Sequence, residues 1–287
     1  MITIFTNPRP FTGHFKILQY NAIRSWGYLH PQVQIILFED EEGTTLEVAD
    51  TLNTQYVPDV PTNEFGTPLI DGVFARVQSL AIHEIVVQVN ADIILTSTFI
   101  DAIERIQKVL NGNPFLMIGR RWDMDIDVEL SFDEKGEWEK ELLSHVKQEG
   151  SLHRISGMDY WTFRKNFNFD PPPFVVGRPG FDSWLIQKSK LSGIPVIDAT
   201  DVITIIHQNH DYPQQRHEYY YTEKTRNVKL AGGFWSNYSL LDSDFLLNLQ
   251  GLKRPTFPRR IFSLFSTNKI WQTLLGLYLV ARKKLAK

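Results

Sequence analysis

Three groups of side chains in this 287-residue chain have the types and spacing to do chemistry. The first is Asn90-Ala91-Asp92, which interrupts an apolar run in HEIVVQVNADIILTSTF, residues 83–99. An ionised carboxylate in such a run must be paired, bound to a cation, or set where a strand opens into a cleft. Two apart on an extended strand, Asn90 and Asp92 would point the same way, and a carboxylate at a strand end suits a hard divalent cation. Such a cation can hold a diphosphate and stabilise it as a leaving group. The bland alternative is that Asp92 caps a turn. The second group is His207, His210, Asp211 and His217 in IIHQNHDYPQQRHEYYY. An apolar strand delivers His207 at its end, and neutral imidazole binds transition-type divalent ions such as Mn²⁺. His207 is the first choice as a ligand and His210 the second. The third is Asp182 in GRPGFDSWLIQ. Gly180 falls where an N-cap would, so Asp182 lies in a first helical turn, and the helix N-terminus predicts that it stays ionised at neutral pH.

The elements that must position these groups read as alternating strands and helices. Residues 2–6 make a strand closed by Asn7-Pro8-Arg9-Pro10. Phe15, Leu18, Ala22, Trp26 and Leu29 recur at helical spacing until Pro31 stops them. VQIILFED, residues 33–40, is a second strand ending in two acids. Thr67 and Pro68 read as the cap and first residue of a helix carrying Leu69, Val73, Phe74, Val77 and Leu80. The strand before Asn90 follows, then a helix over 99–110 with Thr98 and Asp101 as a capping pair. PFLMIGRRW reads as another strand, 133–149 as a charged, exposed stretch, and 181–191 as a helix. This order predicts an α/β three-layer sandwich with a mostly parallel central sheet. In such sheets ligands collect beyond the carboxyl ends of the strands, so residues 6–9, 39–40 and 90–92 should share one edge.

With that order in place, Asn90-Ala91-Asp92 and HQNHDY resemble the GT-A-fold glycosyltransferases of the family 2 type, a Rossmann-like fold. Their Asp-x-Asp motif ends a central strand and binds metal and nucleotide-sugar. The resemblance covers roughly residues 1–240 by element order, and Asn90 departs from it by replacing the first acid. It implies a metal-dependent transferase using Mn²⁺ or Mg²⁺, a nucleotide-sugar donor and a glycan or lipid-linked acceptor. It further implies that Asp92 binds metal with a C-terminal histidine, His207 or His210. Thr6, Asn7, Arg9, Glu39, Asp40 and Asn90 would border the nucleotide. Asp182 would be the base that deprotonates the acceptor if the reaction inverts, or would orient a sugar hydroxyl if it retains. Glu39 and Asp40 read equally well as a solvated turn before Gly43. Arg76, on the helix after Thr67, faces either a phosphate or solvent. Two alternatives use the same residues: a nucleotidyltransferase making sugar nucleotides, and a non-catalytic sugar-binding module, which Asn90 favours.

Composition narrows the classes. A net charge of −3 argues against nucleic acid as a partner, and the absence of cysteine excludes disulfides, thiolate catalysis and cysteine metal ligands. No apolar run approaches the roughly 20 residues that span a bilayer, and the N-terminus lacks a signal-peptide pattern. A cytoplasmic protein is expected, peripheral on a membrane if its tail binds one. That tail is set apart by charge. From Phe245 onward nine Lys and Arg occur with no Asp or Glu, which leaves 21 basic against 33 acidic residues before it. The expected division is therefore a body, 1–244, and a basic C-terminal tail, 245–287. Ile270, Trp271, Leu274, Leu275, Leu277 and Tyr278 give the tail an amphipathic helical pattern. Such a helix either lies in an anionic membrane interface or docks on the acidic body. Two weaker features complete the reading. Asp123, Asp125, Asp127 and Glu129 alternate with apolar residues as on a strand with one wet face. Tyr219, Tyr220, Tyr221, Trp235 and Tyr238 would serve as a stacking floor for an acceptor sugar or as core.

Overall fold

The computed structural model describes residues 1–40, 42–133, 135–167, 169–212, 215, 217–233, 238–256 and 259. The chain runs β1 (Ile2–Thr6), α1 (Gly13–Leu29), β2 (Gln34–Phe38), α2 (Thr45–Ala49), β3 (Gln55–Val57), α3 (Ile70–Leu80), β4 (Ile85–Val89), β5 (Ile93–Leu95) and α4 (Ser97–Leu110). It continues with β6 (Leu116–Ile118), β7 (Trp122–Met124), α5 (Glu137–Glu149), β8 (Ser151–Leu152), β9 (Tyr160–Arg164) and α6 (Phe181–Leu191). The last elements are β10 (Val196–Asp198), β11 (Ile205–Gln208), α7 (Tyr220–Leu230), β12 (Phe245–Asn248) and β13 (Gly251–Lys253).

Nine strands form one sheet in the order β13-β12-β10-β6-β9-β4-β1-β2-β3. All pairs are parallel except those of β9, which runs against both β4 and β6, and of the edge strand β13. The strand alternation divides the core in two. Ile2, Ile4, Ile85, Val87 and Val89 face Ala22, Ile23 and Trp26 of α1 and Phe99, Ile103 and Ile106 of α4. Phe5, Ile36, Phe38 and Val86 face Val73, Phe74 and Val77 of α3 and Phe181, Leu185 and Ile186 of α6. Period-2 strands between two layers of period-3.6 helices give the three-layer α/β sandwich that the sequence predicts. Burying each such side chain contributes about 1.5–3 kcal/mol, before the entropy of ordering is set against it.

A second sheet, β5-β11-β7-β8, stands beside the first and has its own small core of Ile94, Met124, Trp138, Leu142 and Ile206. It was not anticipated, because the stretch PFLMIGRRW reads as one strand and is two: β6 lies in the large sheet and β7 in the small one.

Other local expectations are revised by tertiary contacts. The helix expected from Thr67 starts at Ile70 instead. The Thr67 hydroxyl donates to buried Glu223 at 2.7 Å, and Pro68 accepts a backbone hydrogen bond from Val176, so both stay extended. Helix α4 starts at Ser97, with Thr98 bonded to Thr96 rather than capping. The charged stretch 133–149 contains α5, whose Trp138, Leu142 and Val146 are buried. The alternating acids after Asp123 do not form a long strand, since β7 stops at Met124.

The sheet runs past residue 244, so the boundary expected at 244/245 falls inside it. The amphipathic segment 270–278 and Trp235 lie outside the described residues. Among the described residues no helix is long and apolar enough to cross a membrane.

Candidate functional site

The small sheet sets the register of the site. Ile93 on β5 is the cross-strand partner of His207 on β11, so Asp92, one residue earlier, lies beside that histidine. Asp123 on β7 is the partner of the same His207 from the other side. Between β4 and β5 the chain turns, with the Ile93 amide donating to the Asn90 carbonyl at 3.1 Å. The turn is held from below, where the Gln208 side-chain amide donates to the Asp92 carbonyl at 3.0 Å. Asn90 and Asp92 are therefore not on one extended strand, and they do not point the same way. Asn90 turns toward Asp159, while Asp92 turns toward the histidines.

Asp92, His207 and His210 each bring one ligand atom into a group whose members lie within 4.8 Å of one another. His210 Nε2 is 2.8 Å from Asp92 Oδ2, and His207 Nε2 is 3.7 Å from the same oxygen. Two ligands bonded at about 2.1 Å to one ion stand roughly 3–4 Å apart, so small movements would seat a cation here. The donor chemistry fits as well. Asp92 Oδ1 is buried with no hydrogen-bond partner among the described residues, and such an orphaned acceptor calls for one. One carboxylate and two imidazoles suit a transition-type ion such as Mn²⁺ better than Mg²⁺, which prefers oxygen.

The electrostatics of Asp92 and His207 agree with a ligand set, while His210 would have to give up a proton to join it. Burial opposes the Asp92 charge, but the His210 hydrogen bond and the neighbouring His207 and Arg121 hold its pKa below the usual value. Burial drives the pKa of His207 down, against the pull of Asp92, so it is kept neutral, as a ligand must be. For His210 burial also acts downward and is the largest single influence, yet the hydrogen bonds to Asp92 and to the Asp211 carbonyl, with the Asp92 charge, together outweigh it and the pKa rises.

Behind this group lies a layer of alternating donors and acceptors. Arg121 Nε donates to Asp123 Oδ1 at 2.9 Å, and its NH1 donates to Asp159 Oδ2 at 2.9 Å. Asp123 Oδ1 lies 3.4 Å from His207 Nδ1, and its Oδ2 receives His153 Nδ1 at 2.5 Å. The 3.4 Å approach lacks hydrogen-bond geometry, and Nδ1 has no hydrogen-bond partner among the described residues. A carboxylate on the far side of a ligating imidazole orients its ring when the two are hydrogen-bonded, and at 3.4 Å Asp123 stands within a short movement of that role. Asp123 thus stands beside the ligand group, whereas its spacing in the sequence favoured a wet strand face over a metal loop. Arg121, His153 and Asp159 were not singled out by the sequence.

Asp182 lies in the first turn of α6, as expected, but its charge state is not as expected. Burial and the negative charge of Asp159 push its pKa up to about 7, against an ordinary value of 3.8. The favourable field of a helix N-terminus is the weaker influence in this setting. Gly180, which opens the helix at φ 125°, comes so close to the Asn227 carbonyl that a Cβ there would sit 3.0 Å from its oxygen.

The remaining candidates are spread along the same edge. Thr6 ends β1 and is buried, and Asn7 Nδ2 is buried with no hydrogen-bond partner among the described residues. Arg9 stacks over Phe15 at 4.8 Å, and the Phe15 ring stands 5.1 Å from that of His210, so Arg9 stands beside the ligand group. Glu39 accepts from the Tyr56 hydroxyl at 2.9 Å and from the Asp59 amide at 3.2 Å. Asp40 is 6% exposed and accepts from the Glu42 and Thr45 amides and the Thr44 and Thr45 hydroxyls. It builds its own loop rather than a solvated turn. Arg76 is exposed, with one long bond of 3.4 Å to the Asp59 carbonyl. Of the tyrosines, Tyr219 stacks on Phe65 with ring centres 4.0 Å apart, Tyr220 is buried and Tyr221 is exposed.

No family model matches the chain, and no curated protein matches it. Solved structures do. Glucosyl-3-phosphoglycerate synthase from Mycobacterium tuberculosis, in complex with Mn²⁺, uridine diphosphate and phosphoglyceric acid, is 15% identical, with a TM-score of 0.48 over 81% of this chain and 79% of that one. Its complex with Mg²⁺ and uridine diphosphate is 13% identical, with a TM-score of 0.46 over 81% and 80%. Residues 1–349 of TarS from S. aureus, in complex with UDP-GlcNAc, are 14% identical, with a TM-score of 0.33 over 43% of this chain and 35% of that one.

Proposed function

We propose that the protein is a metal-assisted glycosyltransferase of the GT-A type, moving a sugar from a nucleotide-diphosphate donor to an acceptor hydroxyl. One observation carries the reading. Asp92, His207 and His210 converge at the carboxyl edge of a mostly parallel sheet, and one Asp92 oxygen there is buried with no hydrogen-bond partner among the described residues. That edge is where α/β sheets bind nucleotides. A Mn²⁺ or Mg²⁺ ion held by these three residues would neutralise the diphosphate as it leaves.

The chain's own residues divide the remaining work. Arg9, beside His210, adds a positive charge on the diphosphate side. Thr6, Asn7 and Glu39 line the ends of β1 and β2 and would border the nucleotide, with Asp40 shaping the loop behind them. Arg76 reaches the same edge through Asp59. Asp182 takes the acceptor proton if the anomeric centre inverts. A base with a pKa near 7 is matched to that task, because it is available at neutral pH yet binds the proton firmly. If configuration is retained, Asp182 instead orients a sugar hydroxyl. The basic tail suits a glycan or lipid-linked acceptor at an anionic membrane surface, and loss of co-sedimentation with anionic vesicles on deleting residues 260–287 would support that part.

The test is calorimetric titration with nucleotide-diphosphate sugars, with and without Mn²⁺, on the native chain and on Asp92→Ala. Mn²⁺-dependent binding by the native chain and its loss in the variant are expected. Turnover of a nucleoside triphosphate would assign the site to sugar-nucleotide synthesis instead, and binding of a sugar with no metal dependence would point to a non-catalytic module.

A further inference from the structure

Asn90 occupies the place where the resemblance would put an acid, and the geometry says what it does there. Its Nδ2 donates to Asp159 Oδ1 at 2.7 Å, while its backbone amide donates to the Asp159 carbonyl at 3.0 Å. Only the amide nitrogen can donate to a carboxylate, so the side chain has one sensible orientation. The other Asp159 oxygen is taken by Arg121, whose Nε continues to Asp123, the carboxylate facing His207 Nδ1. Asn90, Asp159, Arg121 and Asp123 thus form one chain of alternating donors and acceptors ending behind a ligand. Asp159 is nine-tenths enclosed and already faces the unfavourable charge of Asp182.

An acid at position 90, itself an exposed position, would set its carboxylate against the enclosed one of Asp159, with no donor between them. We propose that Asn90 is a positioning residue: its amide donor holds Asp159, and through Arg121 and Asp123 the His207 ring, so that restoring an acid at position 90 weakens the metal site instead of completing it. The proposal rests on the metal reading above for its consequence, but its cause lies in the chain alone.

The two are tested separately. Melting is measured at pH 8 in metal-free buffer for the native chain, Asn90→Ala, Asn90→Asp and the reversed pair Asn90→Asp/Asp159→Asn. Asn90→Asp should melt at least about 5 °C below the native chain and below Asn90→Ala. The reversed pair should recover at least half of that loss. If Asn90→Asp alone gives no folded protein, recovery of a folded chain by the second substitution supports the pairing, and continued failure overturns it. Melting of Asn90→Asp at or above the native temperature overturns the proposal outright. Titration with Mn²⁺ alone then reads the consequence: about tenfold weaker binding in Asn90→Asp is expected, and equal or tighter binding refutes the positioning role. Absence of Mn²⁺ binding by the native chain would sink the metal reading and leave the melting result to judge Asn90 by itself.

Discussion

Two strand exits on one edge of the large sheet invite comparison. β2 ends near Asp40 and β4 near Asp92, and each acid follows an apolar strand. Burial opposes the charge of both, and hydrogen bonding lowers both pKa values. The difference lies in who supplies the partners. Asp40 collects four donors from residues two to five positions further along its own loop. Asp92 receives His210 from 118 residues away on one oxygen and, among the described residues, no hydrogen bond on the other. A carboxylate completed by its own loop holds the fold. One left half-satisfied and faced by two imidazoles from a single strand exit far along the chain is suited to receiving a ligand.

The sharpest way to break this contrast is to truncate both acids. Asp92→Ala should abolish Mn²⁺ binding measured by calorimetry and reduce transfer about a thousandfold or more. Asp40→Ala should leave Mn²⁺ affinity within about twofold while lowering stability by roughly 1–2 kcal/mol, as lost caps do. Equal metal loss in the two would erase the distinction.

The next largest effect concerns Asp182, the acid whose surroundings disfavour its charge. Its folded pKa of about 7 lies above the ordinary 3.8, so between these values the folded state binds the proton and the unfolded state does not. Stability from this group is therefore complete at low pH, falls as pH rises through that window, and is lost above it. Asp182→Asn should melt higher than the native chain at pH 8, with the difference vanishing toward pH 4. The same variant should lose about a hundredfold or more in turnover, and the native rate should rise with pH through about 7. A variant that is both less active and less stable at pH 8 would contradict the assignment.

The smallest effect separates Asp123 from Glu39. Asp123→Asn should weaken Mn²⁺ binding about tenfold by loosening His207, whereas Glu39→Gln should change only nucleotide affinity, by a few-fold. Titrations of metal and nucleotide, done separately, distinguish them.

Much of the frame was legible because strands β1, β2 and β4 are mostly apolar runs and helices α1, α4 and α6 carry apolar residues at helical spacing. Asp92, His207 and His210 were legible because each lies at or just beyond a strand end. Asp159 was not, because the rule looks past the ends of strands. β9 runs backwards, so the residue preceding it reaches the edge that other strands reach with their last residues. Asp123 was disguised by its company, and only the pairing of β7 with β11 reveals which acid of the series faces His207. Helix α5 hides a stripe of Trp138, Leu142 and Val146 among charges. The helix-terminus argument for Asp182 failed because a neighbouring carboxylate 23 residues earlier in the chain is invisible to local reading.

Glu223, 1% exposed, accepts hydrogen bonds from Asn63 and Thr67 before α3 and from Arg178 before α6. A single carboxylate near the end of the folded body thus fastens two loops encoded far upstream. During synthesis those loops have no common anchor until α7 has left the ribosome, and Arg178 must wait for its counter-charge. The loop leading to Asp182 therefore lacks this anchor until α7 has emerged.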